Sequence, residues 1–347
     1  METKNFLNIL NHLKHIFIAN NYIEDSRYVF FNTTENIIWA YSDQLTYIHH
    51  YTGNLKDDFN LSSVEFALPA KELHALINKI KKEDISISEM DNAFVIRSGR
   101  STNKIAIPTI LPDSKKLEMK MDCTHAFPDS FRNAFKEYCL FNKDDARCRN
   151  IIFEDGAMVS SNGYTITKAK IDIDTDFIIR YDTLAHVVAN SFTHYDVFTD
   201  VLFLKKENYT LITENSKDRF NYKPFFNIED LYFDYSIHLN KDEDISFIDS
   251  FLLNYKKPDK KIKVNIINDT RALVVAIGDT KTEETRIPIK VNKYNAGEKT
   301  SFNMHPDYFK SVYHDFDYFY VLDGAIYAVN VEDEVERIVR VENLQGG

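Results

Sequence analysis

The stretch Phe66–Pro108, FALPAKELHALINKIKKEDISISEMDNAFVIRSGRSTNKIAIP, reads as one complete structural module. Phe66-Ala67-Leu68 is a short extended run, and Pro69 stands where a helix can begin without needing a backbone N–H. Leu73, Leu76, Ile77 and Ile80 then recur at helical spacing, with Lys71, Lys79, Lys81 and Lys82 off that stripe, which predicts an amphipathic helix. Beyond it, Ile85-Ser86-Ile87-Ser88, Ala93-Phe94-Val95-Ile96 and Lys104-Ile105-Ala106-Ile107 alternate or run apolar. Glu89–Asn92 and Ser98-Gly99-Arg100-Ser101 separate them with turn-forming residue types, so three meandering strands follow the helix.

The rest of the chain repeats this plan. A first helix near Asn5–Ala19 puts Phe6, Ile9, Leu10, Leu13, Ile16 and Phe17 on one face, ahead of strands at Tyr28–Asn32, Ile37–Ser42 and Leu45–Tyr51. A third starts at Pro128 with Phe131, Ala134, Phe135 and Tyr138, and leads to strands at Asn150–Glu154, Ala157–Ser160 and Tyr164–Ile171. A fourth near Asp182–Asn190 uses Leu184, Val187 and Val188 before strands at Val201–Lys205 and Tyr209–Glu214. A fifth near Glu243–Tyr255 precedes Ile262–Ile267, Ala272–Ile277 and Arg286–Val291, and a sixth from Pro306 precedes Tyr318–Leu322, Ala325–Val329 and Glu336–Val341. The units start near Phe6, Phe66, Phe127, Ile178, His238 and Phe302, a period of about 50 to 65 residues. One such unit has too small a core to stand alone, so pairing them is economical. The expectation is an α+β protein of three domains, 1–119, 120–231 and 232–347, jointed near Leu117–Cys123 and Asp230–Tyr235.

Composition excludes several classes. A hydrophobic fraction of 44% over 347 residues supports real cores rather than disorder, and 26 Phe and 20 Tyr against nine Gly suit strands with tight turns. No apolar run approaches a membrane span, and polar or charged residues at 2 to 5 leave no signal-peptide core, so a cytoplasmic protein without membrane contact is expected. Cys123, Cys139 and Cys148 are odd in number and lack CxxC spacing, which argues against a disulfide framework or a structural zinc. His49-His50 near Asp43, and Cys123 near His125, lack a third ligand, so no metal or cofactor is expected. Phosphate-loop, dinucleotide, zinc-protease and nucleophile-elbow motifs are absent, which points away from an enzyme. The net charge of −11 opposes nucleic acid coating the whole surface, while leaving room for one basic face.

Three domains of two helix-plus-strands units each resemble the bacterial sliding clamp, the beta subunit of the replicative DNA polymerase. Two motifs carry the likeness further. Val95-Ile96-Arg97-Ser98-Gly99-Arg100-Ser101 is similar to the clamp's first-domain VRSGRS turn, with Leu68-Pro69-Ala70-Lys71-Glu72-Leu73 correctly placed before it. Met158-Val159-Ser160-Ser161-Asn162-Gly163-Tyr164-Thr165-Ile166-Thr167 is similar to the second-domain ATDGHRLA hairpin. The resemblance implies a head-to-tail homodimer closing a ring of six domains, helices lining the hole. It implies a ring that encircles duplex DNA without sequence preference and tethers a polymerase as processivity factor, with no chemistry of its own.

By that resemblance, duplex contacts fall to Lys71, Lys79, Lys81, Lys82, Arg132, Lys136, Arg147 and Arg149, although the lysines equally suit the solvated face of any amphipathic helix. His12, Lys14, His15 and Lys310 lie on other lining helices, and Asp242, Glu243, Asp244 and Asp249 make the fifth acidic. The cleft that captures a short peptide of the polymerase or clamp loader is implied at Gly163, Tyr164, Thr165, Ile166, Val339, Val341 and Leu344, with domain core as the other reading of Ile166 and Val339. The family tail typically ends MPMRL. Here Arg340-Val341-Glu342-Asn343-Leu344 continues into Gln345-Gly346-Gly347, losing a proline and two methionines and gaining a carboxylate. The ring joint is implied at Leu73, Ile77, Arg97 and Arg100 on one side and Glu283 and Glu284 on the other, where plain surface charge is the alternative. The whole suggests a divergent clamp such as a phage or mobile element encodes. Two rivals remain: a clamp-fold decoy that captures replication proteins without supporting synthesis, and an enzyme on a repeated α+β scaffold.

Overall fold

A computed structural model describes residues 2–18, 24–110, 122–142, 144–227, 235–239, 262–268, 271–277, 282–293, 301–322, 324–340 and 342–343. In chain order the first elements are α1 (Thr3–Ile18), β1 (Tyr28–Asn32), β2 (Ile37–Tyr41), β3 (Leu45–His50), α2 (Leu55–Asp58), β4 (Glu65–Pro69), α3 (Ala70–Lys79), β5 (Ser86–Met90), β6 (Ala93–Ser98), β7 (Ser101–Ala106) and β8 (His125–Ala126). Then come α4 (Asp129–Tyr138), β9 (Asn150–Glu154), β10 (Ala157–Ser161), β11 (Thr165–Lys170), β12 (Phe177–Arg180), α5 (Tyr181–Ala189), β13 (His194–Phe198), β14 (Val201–Lys206) and β15 (Tyr209–Glu214). The last are β16 (Tyr235–Leu239), β17 (Ile262–Asn268), β18 (Arg271–Ile277), β19 (Thr282–Lys293), β20 (Ser301–Met304), α6 (Pro306–Asp315), β21 (Tyr318–Leu322), β22 (Ala325–Asn330), β23 (Val335–Arg340) and β24 (Glu342–Asn343). The chain forms two compact units, one of Met1–Phe127 with Leu184–Ser216, the other of Pro128–Thr183 with Lys217–Gly347.

In the first unit an eight-stranded antiparallel sheet runs β4-β1-β2-β3-β15-β14-β13-β8, beside a three-stranded sheet β5-β6-β7. Every residue of β2 is buried, which is why IIWAY reads as continuous apolar rather than alternating: both faces of this sheet are covered. On one face Phe30, Trp39, Tyr41 and Ile48 cluster with Phe203 and Ile212, with Ile110 and Cys123 packed on them. On the other, α1 lies against β2, β3 and α3, and its Phe6 meets Phe59 edge-on at 5.4 Å. The expected apolar stripe of α1 is buried to within 5% exposure at every position from Phe6 to Phe17 that defined it. Thr3 then ties the start of α1 to the segment between α3 and β5, its Oγ1 donating to Lys82 O at 2.7 Å and its N–H to Glu83 O at 2.7 Å.

Aromatic and imidazole rings fill the space between α1, α5, β3 and β15 within this unit. His12 stacks on Tyr209 at 4.3 Å, His15 on His186 at 4.2 Å, and His49 lies 4.6 Å from Tyr209. Burial, with His50 and His12 nearby, lowers the His49 pKa to about 4, and burial, with His15 and His12, lowers that of His186 to about 3. Both rings are therefore neutral in the folded protein at neutral pH.

The second unit holds a thirteen-stranded sheet, β12-β9-β10-β11-β23-β22-β21-β16-β19-β18-β17-β20-β24. Its helix α4 buries Phe131, Ala134, Phe135 and Tyr138, the i, i+3, i+4, i+7 set that the sequence spacing predicts. Pro69 and Pro128 both occupy the N-cap position, one residue ahead of the helix they were expected to begin, whereas Pro306 opens α6 itself. Strand β13 was not foreseen: HYDVF carries a central Asp196, which the sheet keeps through bonds from Thr124 Oγ1 and Val197 N–H. The expected fifth helix, Glu243–Tyr255, lies outside the described residues.

Candidate functional site

The hairpin β10–β11 is built by local polar chemistry. Asn162 Oδ1 accepts from the N–H groups of Tyr164 (3.1 Å) and Thr165 (2.8 Å), and Ser161 Oγ accepts from Gly163 N–H (3.0 Å) while donating to Thr165 O (2.9 Å). Gly163 sits at φ +92°, a conformation that side chains resist, so the SNG sequence is what the turn demands. The turn leaves Tyr164 58% exposed at its tip.

From there β11 pairs antiparallel with β23, Thr165 opposite Val339, Ile166 opposite Ile338 and Thr167 opposite Arg337. The pleat sorts these residues. Thr165, Thr167, Arg337 and Val339 are buried on one face, with Arg337 Nε donating to Thr167 Oγ1 at 3.0 Å and Nη1 to Ser311 Oγ at 2.5 Å. Asp315 lies 3.5 Å from that guanidinium, which also sits 4.7 Å over the Phe316 ring. On the opposite face Ile166, Ile338 and Arg340 border a cavity of about 700 Å³.

That cavity is the candidate site. Its other walls come from Cys148, the β10–β11 turn, Gly324 and Ala325 ahead of and on β22, and the segment Arg219–Phe225. The segment is fastened to the sheet by Tyr222, whose hydroxyl donates to Glu154 at 2.7 Å, and by Arg219 and Lys223 at 3.2 and 3.1 Å from the same carboxylate. Burial alone would raise the Glu154 pKa; the bonds from Tyr222 and Lys223 and the charges of Lys223 and Arg219 overcome it and hold the group below its usual value. Phe220 and Phe226 pack beside Ile166 on the cluster of Ile152, Val159 and Tyr222, and Phe225 stays 46% exposed at the rim. A concave, mainly apolar site with two exposed aromatic rings suits capture of apolar side chains.

Of the expected cleft residues, the structure brings Gly163, Tyr164 and Ile166 to this cavity and turns Thr165 and Val339 into the core. Val341 and Leu344 lie outside the described residues. Cys148, Ile338, Arg340 and Phe220 escaped the sequence reading, though the period-2 rule places 338 and 340 on one face as soon as β23 is in register.

Among the duplex candidates, Lys71, Lys79, Lys81 and Lys82 are exposed on and after α3, Lys136 is exposed and Arg132 half-buried on α4, and Arg149 is exposed ahead of β9. The Arg147 side chain lies outside the described ones. Helices α1 and α3 together carry Lys4, Lys14, Lys71 and Lys79 against the single acid Glu72, a basic face in a chain of net charge −11. Among the joint candidates, Arg97 and Arg100 are exposed at the β6–β7 turn, but Leu73 and Ile77 have no exposed surface: they are core residues of the first unit and present nothing to a partner. Glu283 and Glu284 lie on β19 opposite Ala276 and Val275, their side chains outside the described ones. Among the described strands, β7 pairs only with β6, and Thr282–Pro288 of β19 only with β18. The described residues hold no cluster of three or more His, Cys, Asp or Glu fit for a metal ion.

Helix layers on antiparallel sheets that continue from one unit of the repeat into the next define the class: the chain has the DNA-clamp fold. The fold is that of the bacterial DNA polymerase III beta subunits, to which solved structures compare over nearly the full length. The sliding clamp of Caulobacter crescentus is 14% identical with a TM-score of 0.76, covering 99% of each chain, and the beta subunit of Pseudomonas aeruginosa is 10% identical at 0.75, again covering 99% of each. The beta chain of Streptococcus pneumoniae is 11% identical at 0.74, covering 99% of this chain and 98% of that one. No protein-family model and no curated protein matches the sequence.

Proposed function

We propose that the chain is a DNA sliding clamp of three domains, 1–119, 120–231 and 232–347, which closes head to tail with a second copy around duplex DNA and serves as a processivity factor in the cytoplasm. A polymerase or clamp-loader segment docks in the cleft beside β11 and β23. The observation that carries this reading is that cleft, an apolar cavity framed by the turn Asn162-Gly163-Tyr164, in a chain with the clamp fold from end to end. Two strand edges without a partner among the described strands support the ring, since an open edge is a template for another chain. The β7 edge carries exposed Lys104 beside the Arg97/Arg100 turn, and the β19 edge carries Glu283 and Glu284, so opposite charges would set register across the joint. The basic α1/α3 face supplies sequence-blind phosphate contact, and retention comes from topology.

The test is solution mass by light scattering with retention on nicked circular and on linearised DNA. A dimer kept by circles and lost from linear ends supports the clamp; a monomer, or retention indifferent to ends, refutes it. The altered tail from Arg340 favours a second reading, a clamp-fold decoy, which would capture polymerase or loader in a pulldown yet fail to stimulate synthesis.

A further inference from the structure

We infer that Arg340 makes the cleft selective for a peptide carrying a carboxylate beside its apolar anchors. The inference rests on the cleft reading above and goes beyond it by assigning the partner segment a charge. The lining holds three charged side chains, Asp145, Arg219 and Arg340. Arg219 is already held 3.2 Å from Glu154. Arg340 is exposed and has no acid within ion-pair reach among the described side chains, although Arg337 on the same strand is fully engaged.

The geometry aims it at an occupant. The Arg340 N–H donates to Tyr164 O at 3.1 Å, which fixes its backbone at the mouth of the cavity. Ile338 and Arg340 share one face of β23, so the guanidinium rises next to the apolar floor rather than on the far side of the sheet. Its cross-strand neighbour is Ala325, and beyond that is Gly324, at which an added Cβ would meet nothing within 4 Å. The forked donor set therefore has open space over small residues, beside Ile338 and Ile166. An isolated cation at the edge of an apolar site is matched by an anion that arrives with apolar side chains, and a guanidinium can grip a carboxylate with two parallel bonds. Basic or phosphate-free neutral segments gain nothing there, and a lysine at that position of the peptide is repelled.

The experiment uses the full chain and fluorescein-labelled nonapeptides that each carry an adjacent leucine and phenylalanine on a Gly/Ser background, with one aspartate walked through the remaining positions and an asparagine twin for each. Binding is followed by anisotropy at low and at high salt, for the wild type and for Arg340→Met, which keeps the side chain long while removing its charge. At one aspartate position the wild type should prefer Asp over Asn by roughly three- to tenfold at low salt, with the preference shrinking as salt screens it. In Arg340→Met the preference of Asp over Asn should vanish. Equal Asp and Asn affinities at every position, or a preference that survives Arg340→Met, overturns the assignment to Arg340 and leaves the cleft reading standing. Failure of every peptide to bind wild type overturns the cleft reading, and the selectivity falls with it.

Discussion

Arg337→Ala should destabilise the second unit by about 3 kcal/mol. The guanidinium is 2% exposed and donates to Thr167 Oγ1 and Ser311 Oγ, pairs with Asp315, and covers the Phe316 ring. Two hydrogen bonds from a charged donor are worth about 1.5 kcal/mol each and the ring contact about 1. The ion pair adds little, because the Asp315 side chain is 37% exposed and water takes over its solvation when the arginine is gone. Some relaxation around the vacated space brings the sum back towards 3. Arg337→Met, which refills the volume, should recover roughly 1 kcal/mol of it. In a urea titration followed by far-UV circular dichroism, a slope near 2–3 kcal/mol/M turns that loss into a midpoint lower by about 1 M for the alanine variant. Trp39, the only tryptophan in the sequence, lies in the first unit and serves as the control probe, because its fluorescence transition should move far less. A dichroism midpoint within about 0.3 M of wild type, or an equal shift at Trp39, would refute the assignment of Arg337 as the clasp of this seam.

Other perturbations follow from the same structure. The unfolded chain protonates His49 and His186 near pH 6.5, whereas the folded pKa values are about 4 and about 3, so the unfolded state binds more protons between those limits and stability falls with falling pH. The stability that the Trp39 urea transition reports should therefore drop between pH 7 and 5 by roughly 4 kcal/mol, about 2 from each ring, and a flat profile would contradict neutral buried rings. Gly163→Ala forces a methyl-bearing residue to φ +92° and should cost roughly 1–2 kcal/mol locally, read as weaker binding of an apolar peptide with little change in dichroism. Reversing Lys79, Lys81 and Lys82 together to glutamate should shorten retention on circular DNA without altering the thermal transition; unchanged retention would exclude α3 from the duplex face.

The sequence exposed the fold where one period dominated. In α1 and α4 the 3.6-residue stripe survived translation into structure because a single face meets the sheet. It was silent at β13, where Asp196 breaks the apolar alternation and bonds from the sequence-distant Thr124, beside that of the adjacent Val197 N–H, make the acid tolerable. The site divided along the same line. The turn Ser161-Asn162-Gly163 announces itself through local hydrogen bonding, so Gly163, Tyr164 and Ile166 were within reach. Phe220, Phe225 and Cys148 arrive at the cavity from distant segments that carry no periodic signal, and nothing in their neighbours marks them. Leu73 and Ile77 failed as joint residues for the opposite reason: the apolar stripe that located the helix is the very surface the helix buries.

The seam between β11 and β23 explains why an arginine at 337 and an isoleucine at 338 belong together. Side chains alternate across a strand, so sliding β23 by one residue would carry Arg337 to the cleft and push Ile338 towards Ser311 and Asp315. That slip would strand Thr167 and Ser311 without their donor, leave a charge against an apolar floor, and bury an aliphatic group among oxygens, each unfavourable by itself. Lys168, which faces Glu336 at 3.1 Å in the present register, would lose its partner as well. The buried polar face thus fixes the register, and the register builds the apolar cleft on the other side. It also fixes Arg340, two residues on from Ile338, at the cleft's edge. The same alternation that orders the core sets which charge a docking peptide would meet.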